Sequence, residues 1–248
     1  MALAIDASTP AVTGADNATA TTNTSAFSPP AQSVIYLFVC GTGPSAALFS
    51  PQAVASITDS VGANLNWTLA VRDNLPVPGT LGGTAEVWWA YCPNAQTSMT
   101  LTVNMITTNG LSTNPPGGLI QPVVFTGAKA NQAGAAVAIR NSTASGLPSL
   151  SLTTTAAGSW VMGTVQNWTN FTAPTVPAGQ TVSVNGNNAQ ITNGLSGGHS
   201  YWMQLQSATT TNASTSVTIN DTAPSVVHHM TLVEVLADQP MLTPWIYM

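Results

Sequence analysis

Apolar and polar residues alternate one by one along this chain, and no stretch repeats apolar residues at the three- and four-residue spacing of a helix. Met99, Leu101, Val103 and Met105 alternate with Thr100, Thr102 and Asn104, and Trp67, Leu69 and Val71 alternate with Thr68, Ala70 and Arg72. Successive side chains of a strand point to opposite faces, so this pattern makes strands with one apolar and one polar face. Further strands are expected at 34–40, 86–92, 123–126, 150–154, 160–166, 181–184, 201–206, 216–220 and 227–236. Turn clusters such as Asn114-Pro115-Pro116-Gly117-Gly118 and Asn185-Gly186-Asn187-Asn188 separate them. Many short strands without an amphipathic helix predict an all-β fold, an antiparallel β-sandwich of jelly-roll type. The unbroken apolar runs 34–40 and 227–236 predict central strands buried on both faces. Trp67, Leu101, Val103, Trp160 and Met203 are expected in the core.

The order of strand types repeats. In the first half come a strand opening with Ser33, the Trp88-Trp89 strand, the Thr-alternating strand around Leu101, and apolar 123–125. In the second half come a strand opening with Ser159, the Tyr201-Trp202 strand, Val217-Thr218-Ile219, and apolar 232–236. This predicts two related four-strand halves, each leaving an apolar sheet face that the other must cover. Residues 1–26, rich in small polar side chains, are expected as an extended arm or edge strand, and 27–237 as one sandwich. Residues 238–248 form an apolar tail in which Pro240 and Pro244 disfavour a helix or a central strand. Its Met241, Leu242, Trp245, Ile246, Tyr247 and Met248 are the interface candidates, expected to dock on a neighbouring subunit.

Charged residues make up 4% of the 248, against roughly 25% in ordinary globular proteins, so hydroxyls, amides and backbone must form the surface. A free protein relies on interspersed charge to stay apart from its neighbours, and this composition favours a member of an assembly over a diffusing enzyme. With a net charge of −5 and no basic cluster, nucleic-acid binding through phosphate neutralisation is excluded. The longest apolar stretch is of strand length, far short of the ~20 residues of a spanning helix, so no membrane insertion is expected. The N-terminus has no basic region preceding an apolar one and does not read as a secretory signal. Cys40 and Cys92 are therefore expected as free buried thiols.

Chemistry-bearing residues are scattered. His228 and His229 are adjacent and must point to opposite faces of a strand, so one metal cannot take both, and His199 lies in a Gly-Gly-His-Ser turn. Glycoside hydrolysis needs two carboxylates across a cleft, and nothing in the spacing of Glu86, Glu234 or Asp59 brings a pair together. Asp59 and Asp221 read as turn residues bonding their own backbone. No nucleophile elbow, phosphate loop, paired-cysteine motif or calcium loop occurs, so no catalytic residue, metal or cofactor is expected. Eight Asn-x-Ser/Thr triplets carry little weight where these residues are so abundant. The seven Trp suggest a different chemistry: Trp88, Trp89, Trp168 and Trp202 are candidates for stacking on glycan rings, because an aromatic face offers apolar area beside polar neighbours.

The phrases FSPPAQSVIYLFV, ITDSVGANLNWTLAVR, AEVWWAYCPNAQTSMTLTV, PVVFTGA and LSLTTTAAGSWVMGTV resemble a β-sandwich domain of minor tail proteins, virion proteins of tailed phages infecting actinobacteria. With the opening IDASTP and the closing TLVEVLA, the likeness spans roughly residues 3–237. It carries no catalytic signature, and the chain holds less charge than the usual pattern. The resemblance implies a non-enzymatic structural protein of a virion, assembled in the host cytoplasm and placed in the tail or tail tip. Its partners would be copies of itself and other virion proteins. The alternatives are a capsid decoration protein or an adhesion module that binds a host cell-envelope glycan.

Overall fold

A computed structural model describes residues 1–16, 21–42, 52–74, 83–107, 117–167, 172–193 and 199–238. Among them there is no helix, and every strand pairing is antiparallel. The first half contains β1 (Ala4–Ile5), β2 (Thr13–Asp16), β3 (Thr21–Asn23), β4 (Ser33–Thr42), β5 (Gln52–Asp59), β6 (Thr68–Asp73), β7 (Gly83–Cys92), β8 (Leu101–Thr107) and β9 (Gly117–Thr126). The second half contains β10 (Val137–Gly146), β11 (Ser149–Thr153), β12 (Trp160–Asn167), β13 (Gln180–Thr181), β14 (Ser183–Val184) and β15 (Asn187–Asn188). It continues through β16 (Gln190–Asn193), β17 (His199–Gln206), β18 (Ser216–Asn220) and β19 (Val226–Val235).

Each half pairs its strands like a folded-over hairpin: first with last, an early strand with the last but one, and a central strand with the one before that. In the first half these pairs are β1 with β9, β3 with β8 and β4 with β7. In the second they are β10 with β19, β11 with β18 and β12 with β17. Such nesting is the jelly-roll path. The large sheet of the first half runs β1-β9-β4-β7-β6 with β2 beside β9, and that of the second runs β10-β19-β12-β17-β13 with β16 beside β17. Strands β4 and β12 thus take equivalent central places, as do β7 and β17, β8 and β18, and β9 and β19. These are the four correspondences that the repeated strand types suggest.

Each half is larger than four strands. The first has its own second sheet, β3-β8-β5, and the second has β11-β18. Of the strands that supply it, β8, β11 and β18 match expected strands, while β3 is too brief and β5 too irregular to announce themselves in the sequence. Four layers result, with the two large sheets face to face at the centre and one small sheet outside each. Side chains of β4 show the consequence. Ile35, Leu37 and Val39 pack with Leu101 and Val103 under the outer sheet, while Val34, Tyr36 and Phe38 pack with Met162, Met203 and Val233 of the other half. On the far side, Val161, Trp202 and Leu232 pack under β11-β18 with Val217 and Ile219.

Strands β4 and β19 are accordingly buried on both faces over the whole runs 34–40 and 227–236. Leu101, Val103 and Met203 are fully buried, whereas Trp67 and Trp160 are only half-buried, because each lies at the mouth of a layer, just ahead of or at the start of its strand. Strand β5 escapes the alternation rule for a local reason: a bulge between Val54 and Ser56 shifts its phase midway. Pro122 sits inside β9 at the gap where neither β1 nor β2 is paired beside it, so its missing N–H leaves no ladder bond unmade. Gly163, on central β12, is required for close approach: a Cβ there would lie 2.1 Å from the Thr231 carbonyl oxygen. Replacing Leu101 by alanine should cost about 2–5 kcal/mol, the usual range for emptying a packed leucine site. A denaturant titration reads this directly, and a loss under about 0.5 kcal/mol would remove Leu101 from the core.

Candidate functional site

The acids and histidines hold layers together. Glu86 on β7 accepts hydrogen bonds from Val54 N at 3.0 Å, Thr84 Oγ1 at 2.9 Å, Trp88 Nε1 at 2.8 Å and an Arg72 guanidinium nitrogen at 2.9 Å. It ties β5 of the outer sheet to the large one. Glu234 does the same for the second half, accepting from the backbone of Ala136, Thr155 and Ala156 and from Thr155 Oγ1. Burial pushes its pKa up, but hydrogen bonds from Ser159, Ala136 and Thr155 outweigh this and hold it below the usual carboxylate value. Asp59 caps its own turn through Val61 N and Ala63 N. Glu86, Glu234 and Asp59 thus have separate sets of partners, and none shares a partner with another.

His229 and Asp73 meet at 2.8 Å between the two large sheets, both fully buried, while His228, on the opposite face of β19, has Nδ1 3.0 Å from the Val226 carbonyl oxygen. Burial holds His228 below its ordinary pKa. Among the described residues no group of three or more His, Cys, Asp or Glu is placed to hold a metal ion. Both cysteines are free and buried. The register sets Ser33 opposite Cys92, seven residues from Cys40 on the same strand, far beyond the ~7 Å limit for a disulfide. Burial pushes the Cys40 thiol up to about 12, where it is no nucleophile at neutral pH. Asp221 departs from its expected role as a self-bonding turn residue. It is buried at the end of β18, and neither carboxylate oxygen has a hydrogen-bond partner.

The tryptophans divide. Trp202 is fully buried beneath β11-β18, with Nε1 3.3 Å from Gln204 Oε1, so it has no face for a glycan: both faces of β17 are covered by other layers. Trp88 is half-buried, spent on Glu86 and capped by the Arg72 guanidinium 5.8 Å from its ring centre. Trp168 and the tail residues Met241, Leu242, Trp245, Ile246, Tyr247 and Met248 lie outside the described residues. Trp89 remains. It shares a face of β7 with Tyr91, and both are half-buried at the edge of the central layer.

Trp89 stands between a cleft of about 220 Å³, lined by Leu69, Gln132 and Val137, and one of about 330 Å³, lined by Asn64, Leu65, Asn66, Thr68 and Ala130. Tyr91 stands between the second and a third of about 340 Å³, which reaches Gln32, Gly127 and Asp238. One wall throughout is the 127–137 segment, the connection between the two halves. That wall is pinned. Gln132 accepts hydrogen bonds from Tyr36 Oη at 2.9 Å and Leu236 N at 2.8 Å and donates to the Lys129 carbonyl, while Ala136 N donates to Glu234. No Lys or Arg lines these three clefts, and Asp238 is the one charged side chain among the described lining residues. The residues Tyr91, Asn64, Asn66 and Thr68 escape sequence reasoning, although the spacing of Trp89 and Tyr91, two apart on a strand, marks a shared face.

Compared with known proteins, the chain matches no family model, no curated protein and no solved structure.

Burial pushes the Asp221 pKa up to about 7 from an ordinary 3.8. Between these values the folded chain binds the proton more tightly than the unfolded chain. Stability therefore falls as pH rises across that window, and the deficit is complete above pH 7. Asp221→Asn, neutral throughout, should be close to the native protein at pH 4 and more stable at pH 8. At roughly 1.4 kcal/mol per pH unit the gain has an upper bound of about 4 kcal/mol. Urea titrations at the two pH values check it, and equal gains at both would remove the buried charge as the cause.

Proposed function

We propose that this chain is a non-enzymatic structural protein of a tailed-phage particle, a minor tail or tail-tip component that packs with copies of itself and with neighbouring virion proteins. The observation that carries the assembly part of this reading is strand β10. It is ten residues long and forms the edge of its sheet, with β19 as its one neighbour among the described residues. Its Val137 and Ile139 are about half exposed, at 47% and 50%. Long, exposed edges invite a further strand, the more so where they carry apolar side chains, and soluble proteins usually blunt them with charge, proline, a bulge or a covering loop. Here the regular part of the edge runs over residues 137–142, before its pairing with β19 turns irregular between Ser142 and Gly146, and it carries one cation, Arg140, which donates to the Ser149 carbonyl oxygen.

The fate of the ionisable groups supports the non-enzymatic part. Glu86, Glu234 and Asp59 have their hydrogen bonds taken up by backbone and neighbouring side chains, and the His229–Asp73 contact is sealed from solvent. The charge-poor surface and the resemblance to minor tail proteins support a place in a virion. Assembly would occur in the host cytoplasm.

Two measurements test this. Light scattering should give a mass above one chain, reduced by Ile139→Lys, which puts a charge on the exposed edge without touching the core; an unchanged mass would release β10 from assembly. An antibody against the chain should label purified particles at the tail in negative-stain micrographs. Absence of the protein from particles would end the virion reading.

A further inference from the structure

We infer that the groove along the connection between the two halves binds a neutral oligosaccharide, with Trp89 and Tyr91 as stacking surfaces between consecutive subsites. The inference stands on the groove and does not depend on a place in a virion. Two residues apart on a strand, Trp89 and Tyr91 are separated by about 6.7 Å along the chain, on the scale of one sugar ring to the next. Each ring divides two neighbouring clefts, so the groove reads as three pockets with two aromatic partitions. A pyranose offers an apolar C–H face and a rim of hydroxyls. The rings supply apolar area for the first, and Asn64, Asn66 and Thr68 supply amides and a hydroxyl for the second.

Charge decides the class of sugar. No charged residue lines the two clefts on either side of Trp89, and the charges near the third, the Asp238 carboxylate and the amino group of Met1, are of opposite sign, so an acidic glycan gains no cationic partner along the aromatic part of the groove. The floor is rigid. Trp89 and Tyr91 rest on the core shared by both halves, and Gln132 and Glu234 fix the opposite wall. A preformed site of this kind loses little in ordering on binding. The two clefts of about 330 and 340 Å³ stand at the lower end of the range of ordinary small-molecule sites, and the third, of about 220 Å³, extends them.

The full chain is titrated with neutral oligosaccharides of three to six residues from the gluco-, galacto-, manno- and arabino- series, read by tryptophan fluorescence and calorimetry. An anionic heparin fragment and a synthetic peptide of residues 239–248 serve as competitors. Saturable binding of at least one neutral series is expected. Trp89→Ala and Tyr91→Ala should each weaken it at least tenfold, Asn66→Ala severalfold, and Leu147→Ala, exposed just past the far end of β10, not at all. Should Trp89→Ala fail to fold by circular dichroism, Tyr91→Ala and Asn66→Ala, both at the rim, carry the test. No saturable binding at 10 mM sugar, or equal affinity in the Tyr91 and Asn66 variants, overturns the assignment. So does binding of the heparin fragment alone, or occupation of the groove by the peptide with every sugar inert.

Discussion

Everything else in this molecule depends on two large sheets meeting face to face while each is also covered from outside. Over residues 34–40 of β4 and 227–235 of β19 both sides are covered, so these runs carry no polar face and their sequences carry no alternation. Central burial demands close fit. Gly163 clears the backbone of β19, and Gly83 clears the amide of Gln166, where added Cβ atoms would lie 2.1 and 2.2 Å from their neighbours. The central layer is also not uniformly oily. At one end Asp73 meets His229 and the Cys40 thiol lies 2.8 Å from Thr164 Oγ1, which ties the two halves in one lateral register. Apolar packing alone specifies area and little direction; buried polar contacts add the direction.

The scarcity of charge has a structural counterpart. Where most proteins spend carboxylates on solvation, this chain uses Glu86 and Glu234 inside, each gathering donors from a strand or loop of another layer. A buried carboxylate surrounded by four donors is satisfied and rigidifying; one without donors, like Asp221, is a cost that titrates. The surface left behind is amide, hydroxyl and exposed aliphatic, a composition compatible with packing against copies or neighbours.

The groove follows from the repeated topology. Joining two similar sandwiches requires a connection between them, and the 127–137 segment crosses the seam at the rim of the central layer, beside the aromatic end of β7. Gln132 reaches Tyr36 and Leu236 and so anchors this connection to both halves. A seam between fused units is a usual place for a binding cleft. The partitions Trp89 and Tyr91 are half-buried because the neighbouring sheet ends before covering them.

By itself the sequence determined the strands, their order and the repeat, because alternation and turn chemistry are local and act whatever the chain packs against. The double burial of 34–40 and 227–236 was legible for the same reason, since an unbroken apolar run has no face to give to water. Residues 1–26 were legible only as an extended arm or edge strand, and β5 with its bulge and the mostly polar β10 were not legible: brief or phase-shifted segments become strands only when a neighbour supplies the ladder. Tertiary structure alone decided the layering. Four layers bury Trp202 from both sides and leave Trp89 at a rim, although both read alike as aromatics on strands. It also decided that Asp73 would find His229 across 156 residues of chain, and that Asp221 would find no partner. Which face of a strand is covered depends on residues far away in sequence, and no local pattern encodes them.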